Sequence, residues 1–191
     1  IDGVLDPRLW ASGWQIVWDR VATDEVFHEF IRLCDEAGDA CALHEEGGAL
    51  ARYDALASAI KAEPIVFEDG FVYSYDFFTY ATVGALYAPE YWGGDEGYAA
   101  LFGFLADAVL GDADAASEAA RVRGVIQERL QLPSLNQEPY DNFFDAYYGN
   151  QCADTDYPAS FGEFRAVGRY AEMDSRFGPS WWWSNAPCAS W

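Results

Sequence analysis

The stretch "IDGVLDPRLW" (residues 1–10) decides how the rest of the chain is read. "IDGV" is an apolar, turn-bounded fragment closed by Asp6-Pro7, and it reads as the end of a buried strand. The period then changes. Trp10, Trp14, Val17, Trp18 and Val21 recur at intervals of three and four, the spacing of one helix face. A strand that feeds straight into an aromatic helix predicts helices attached to a sheet rather than a freestanding bundle. The sequence begins with neither a methionine nor a leader, so a piece of a longer precursor is expected.

Working outward, Thr23 with Asp24 and Glu25 predicts the start of a second helix. Phe27, Phe30, Ile31 and Cys34 share its inner face, and Gly38 ends it. A third helix is expected from about Ala49 to Ala62, with Tyr53, Leu56 and Ile60 inward, stopping before Pro64. "IVFEDGFVYS" (65–74) then alternates in β fashion around Asp69-Gly70 and predicts a hairpin with a two-residue primed turn. Ser74 is placed to cap a helix running to about Tyr87, which Pro89 closes. Tyr98, Leu101, Phe102, Leu105 and Val109 form a further helical face. After Gly111-Asp112 another helix carries Val122, Val125, Ile126 and Leu130. "QLPSLNQEP" (131–139) reads as a loop, "YYGNQCAD" (147–154) as a second strand-like fragment, and Ser160 to Phe177 as a last helix. The expected fold is therefore mostly α, with one short hairpin and strand fragments at both ends.

Composition narrows the function. Of 191 residues 51% are hydrophobic and 17% aromatic, enough for a sizeable core. Thirty-two acids against 11 bases leave a net charge of −21, which repels phosphate backbones and anionic lipid; neither nucleic acid nor membrane is an expected partner. No apolar run reaches the roughly 18 residues of a membrane span. The four cysteines lack a C-x-x-C pair and only His28 and His44 accompany them, so a zinc site is unsupported. Two local disulfides, Cys34–Cys41 and Cys152–Cys188, are expected instead, and with them an oxidising compartment.

A search for chemistry finds no complete machinery. Gly178-Pro-Ser180-Trp-Trp is the nearest approach to the G-x-S-x-G turn of a nucleophilic serine, but it lacks the second glycine, and Pro179 and Trp182 crowd it. His28 sits among core-facing phenylalanines and His44 before a loop, and neither starts an H-E-x-x-H motif. Asp112/Asp114 and Asp154/Asp156 lack the other oxygen ligands of a calcium loop. No phosphate- or dinucleotide-binding glycine pattern occurs. No catalytic residue, metal or cofactor is therefore assigned. Trp10, Trp14, Trp18, Tyr91, Trp92 and Trp181–Trp183 line either a core or a binding cleft. Of the three consecutive tryptophans at least one is expected to meet a partner, solvent or a ligand.

Several stretches together resemble the α/β-hydrolases of the tripeptidyl-aminopeptidase-like family. "IDGVLDPRLW" is similar to the segment that follows the nucleophile turn in that family. "FHEFIRLCDEAGDACAL" (27–43) resembles its cysteine-bearing helix, and "LYAPEYWGGDEGYAALFGFLADAVLGDADA" (86–115) its cap region. "NQCADT" (150–155) and "NAPCASW" (185–191) resemble the pair that opens its C-terminal portion. The resemblance implies a helical cap of a secreted serine hydrolase whose Ser-His-Asp triad lies outside this chain. Residues 1–6 would end a core strand, 7–145 form the cap, and 146–191 begin the C-terminal part of the hydrolase core. It further implies an exopeptidase or related esterase acting on peptide or ester substrates, partnered by the remainder of the hydrolase fold. The chain alone would be inactive, and its aromatic undersides would need a sheet supplied from elsewhere. Asp2, at the end of the expected strand, is the one candidate substrate contact. Two other readings stand beside this one: a self-contained acidic, disulfide-bonded protein that binds carbohydrate or peptide through its aromatics, and a glycosidase with two carboxylates facing one cleft.

Overall fold

The computed structural model describes residues 6–11, 14–110, 112–129, 143–173 and 175–190. The expected strand "IDGV", Asp2, Leu130, the loop 131–139 and Trp191 lie outside them. The described residues form helices α1 (Pro7–Ala11), α2 (Trp14–Ala37), α3 (Ala49–Ala62), α4 (Tyr75–Leu86), α5 (Tyr98–Val109), α6 (Ala113–Arg129), α7 (Phe143–Asp154), α8 (Phe161–Glu172) and α9 (Gly178–Trp183). Strands β1 (Ile65–Val66) and β2 (Val72–Tyr73) make one antiparallel hairpin. The fold is mostly α with a single β-hairpin, as the periodicity predicts. The chain divides into two compact units, residues 26–137 and residues 1–25 with 138–191.

In the unit 26–137 the core is aromatic. Tyr53 of α3 is its centre, with the Phe27, Phe78 and Phe102 rings at 4.8, 5.0 and 5.7 Å. The Thr82 hydroxyl donates to the Phe78 carbonyl (2.9 Å), so at 2.8 Å Tyr53 Oη must be the donor to Thr82 Oγ1. A buried hydroxyl pair is thereby satisfied inside an apolar core. Helix α5 is buried nearly all round, from Tyr98 to Ala106, and α3 and α6 pack on it. Ser74 caps α4 by accepting from Phe77 N at 3.2 Å, as expected. Asp112 caps α6, its carboxylate accepting from the Asp114 and Ala115 amides.

Two local expectations are corrected here. No helix begins at Thr23: α2 runs unbroken from Trp14 to Ala37. That segment contains no proline or glycine, so nothing interrupts the backbone ladder, and the cap signal is overridden. The hairpin closes not by two residues but by three, Glu68-Asp69-Gly70. Gly70 N donates to Phe67 O and Phe67 N to Phe71 O, both at 2.9 Å. Gly70 takes φ = 80°, a left-handed backbone that glycine alone adopts freely, giving a type I turn with a bulge.

In the other unit, among the described residues, Phe164, Ala171 and Trp182 form a core cluster flanked by Tyr157, Val167, Trp181 and Trp183. Trp182 stacks on Phe164 at 4.4 Å, and its indole N–H donates to the Phe164 carbonyl at 2.8 Å. Gly168 permits this approach, because a Cβ there would fall 2.8 Å from both Trp182 Cδ1 and Trp183 Cζ2. Trp181 donates to Thr23 Oγ1 at 2.8 Å, which is where the supposed capping hydroxyl is used. Trp182 therefore lies in the chain's own interior, with Trp181 and Trp183 half-buried beside it. "YYGNQCAD" is helical, being the body of α7, and not a strand. The last helix expected over 160–177 is shorter, α8, capped by Ser160 accepting from Glu163 N at 3.3 Å.

Candidate functional site

Both expected disulfides are present. Cys34–Cys41 closes the turn after α2, and Cys152–Cys188 ties α7 to the 3-10 turn Ala186–Ser190. They fit an oxidising compartment. Among the described residues no helix is long and apolar enough to cross a membrane.

The candidate catalytic groups remain apart. Ser180 lies in α9, after a helix and a bend instead of a strand, and so is not on a nucleophile turn. His28 is exposed on α2, its ring 5.8 Å from that of Phe27. His44 has a partner that the sequence did not suggest: its Nδ1 is 3.0 Å from Asp35 Oδ1. The same oxygen accepts from Ala49 N at 2.8 Å, at the start of α3. The Ala49 amide first, and His44 second, hold the Asp35 carboxyl below the usual range. Arg52 of α3 reinforces this loop by donating to the Ala42 carbonyl at 2.9 Å and pairing with Asp107 of α5. No serine, threonine or cysteine is hydrogen-bonded to either histidine ring among the described residues, so the Asp35–His44 pair pins a loop and activates no nucleophile.

A second ionic cluster fixes the hairpin. Arg123 of α6 pairs with Asp69 at 2.6 Å and lies over the Phe71 and Phe67 rings at 4.0 and 5.0 Å. The Phe71 amide, then Arg123, lower the Asp69 carboxyl. Burial pushes Tyr98 up to about 12 and raises Tyr73 and Tyr157 further, so none of these phenols serves as a base near neutrality. Among the described residues no group of three or more His, Cys, Asp or Glu side chains is arranged to hold a metal.

What remains is a cleft of about 230 Å³ in the unit 26–137, walled by Phe30, Leu33, the Cys34–Cys41 bridge, Trp92 and Ala99. Trp92 is held at two points: its indole N–H donates to the Ala85 carbonyl at 2.7 Å, and its ring meets Phe30 edge-on at 5.4 Å. Of the aromatics considered for ligand contact, the structure thus brings Trp92 to a cleft and turns Trp182 inward. Cys34 and Cys41 were legible as a bridge, but nothing in the pattern signalled that they line a recess. In comparisons with known proteins, no family model matches this chain, and no curated protein or solved structure matches it.

Proposed function

We propose that this chain is the helical cap and flanking segment of a secreted serine hydrolase, an exopeptidase acting from a free N-terminus, with its Ser-His-Asp triad in sequence outside residues 1–191. The observation that carries the reading is the way one of the resembling stretches is built. Phe27, Phe30 and Cys34 lie buried on one face of α2, and Cys34 is bonded to Cys41, so the spacing of that stretch has a single structural cause. A cap also needs a face to present. Helix α4 has Asp76 as its one charged residue and exposes Tyr80, although the chain carries a net charge of −21. The role of such a cap is to exclude water and to select substrate above an acyl-transfer site.

The secreted protein that contains these residues is the material to assay. A short peptide anilide with a free amino terminus should be cleaved, and its N-acetylated twin at least about tenfold more slowly, since the lost ammonium removes a charge-assisted contact. Equal cleavage of both would refute exopeptidase selectivity, and cleavage of neither, nor of a simple ester, would refute the hydrolase reading. A second reading, a self-contained binding protein, is favoured by the two internally closed cores and the cleft beside Trp92. It requires residues 1–191 to fold alone and to bind a ligand without turnover.

A further inference from the structure

We propose that the cleft beside the Cys34–Cys41 bridge binds a small amphipathic cation: an ammonium carried on an aromatic or branched aliphatic group. The inference does not depend on the hydrolase reading. The walls named above are apolar, and at about 230 Å³ the recess is smaller than the roughly 300–1,000 Å³ of sites for drug-sized molecules, so it suits a single ring or branched chain.

Charge selects the rest of the ligand. Asp39, Glu90 and Asp95 are the sequence neighbours of the lining residues Ala40, Pro89 and Gly94. All three are exposed, and among the described residues none of their carboxylates has a hydrogen bond or ion pair. The nearby cations, in contrast, are already engaged. Arg32, next to Leu33, pairs with Glu29 and Glu36. Arg121 pairs with Glu96 and Glu118, beside the recess that Gly93 and Gly94 share with the cleft. Ala37, the last residue of α2, also lines the cleft, so the negative end of a 24-residue helix lies there. Trp92, held in place by its indole N–H, also lines the cleft, and an indole is an electron-rich ring of the kind that attracts cations. The walls favour an apolar group, and the exposed acids beside the lining residues favour a positive charge over an anion.

The test is a titration of the protein that contains residues 1–191 with 2-phenylethylammonium, 2-phenylethanol, 3-phenylpropionate and methylammonium, following the Trp92 indole N–H by NMR. The expected result is a saturable shift with 2-phenylethylammonium. Its affinity should exceed that of the alcohol by about tenfold at low ionic strength, and the ratio should fall towards one in about 0.5 M salt. The carboxylate should give no shift. Joint substitution Asp39→Asn, Glu90→Gln and Asp95→Asn should abolish the preference and leave the alcohol's affinity unchanged. Leu33→Arg, at a site already 42% exposed, should remove binding of both. Equal affinity for the ammonium and the alcohol would overturn the proposal, as would an equal response to methylammonium, which marks a general acidic surface. An unmoved Trp92 signal would do so too. Should Leu33→Arg fail to fold, the triple variant decides alone.

Discussion

The two units achieve order in different ways. In residues 26–137, five helices contribute large side chains at helical spacing, and Phe27, Tyr53, Leu56, Phe78, Phe102 and Leu105 are all buried. Their disulfide, Cys34–Cys41, closes a turn of seven residues at the margin of that core. In the other unit Phe164, Ala171 and Trp182 form a core cluster among the described residues, and its bridge spans 36 residues. Closing the longer loop removes more freedom from the unfolded chain, so there the covalent tie contributes more. The same chemistry thus fixes a short turn in one unit and a long loop in the other.

The sharpest break of this contrast is Cys152→Ser with Cys188→Ser. By loop-closure entropy it should cost about 4 kcal/mol, and hydrogen exchange should show lost protection in α7, α8 and α9 while α3 and α5 keep theirs. Equal loss in both sets would mean that the two cores are not independently built. Next in size is Cys34→Ser with Cys41→Ser, expected to cost about 2.5 kcal/mol. Its exchange signature should be loosening confined to residues 38–48, with the Tyr53 cluster still protected.

Smaller again are the paired caps, Ser74→Ala for one unit and Ser160→Ala for the other. Each removes a side-chain acceptor from a helix start and should cost about 1 kcal/mol. Chemical denaturation followed by residue-resolved NMR would separate them. If one core is intrinsically weaker, the Ser160→Ala change should free its helix at lower denaturant than Ser74→Ala.

The smallest effect is electrostatic. The folded Asp35 carboxyl titrates below its unfolded value of about 3.9, so its contribution is complete above that pH and is lost as pH falls through the lower folded value. Asp69 behaves alike. Stability of residues 26–137 should therefore decline below about pH 4, and Asp35→Asn should flatten that decline. An unchanged acid limb in the variant would remove Asp35 from the account.

What the sequence made legible follows the same division. Tyr53, Leu56 and Ile60, Phe27, Phe30 and Cys34, and Ser74 were readable because burial at helical spacing and capping are local signals. The failures are tertiary. Thr23 carries a local cap signal, yet an uninterrupted helix and the Trp181 indole claim it. "YYGNQCAD" has strand-like composition, but as α7 it places Cys152 against Cys188. Trp182 is buried because Gly168, far from it in sequence, leaves room. His44 meets Asp35 across a bridged turn, and Arg123 meets Asp69 across 54 positions. No spacing rule within one element reports such pairs. The cleft was partly visible, since Trp92 was among the aromatics considered for binding, but its walls come from α2, the turn after it, the segment 89–94 and the start of α5 together.

The central claim is that residues 1–191 belong to a hydrolase whose nucleophile they do not contain. Fluorophosphonate labelling of the protein that contains these residues, with the modified peptide mapped by mass spectrometry, tests it most directly. The account predicts one labelled serine, in a G-x-S-x-G sequence outside these residues and on the same precursor or a stably associated chain. Labelling of Ser180 or another serine within residues 1–191, or no labelling at all of active material, would contradict it.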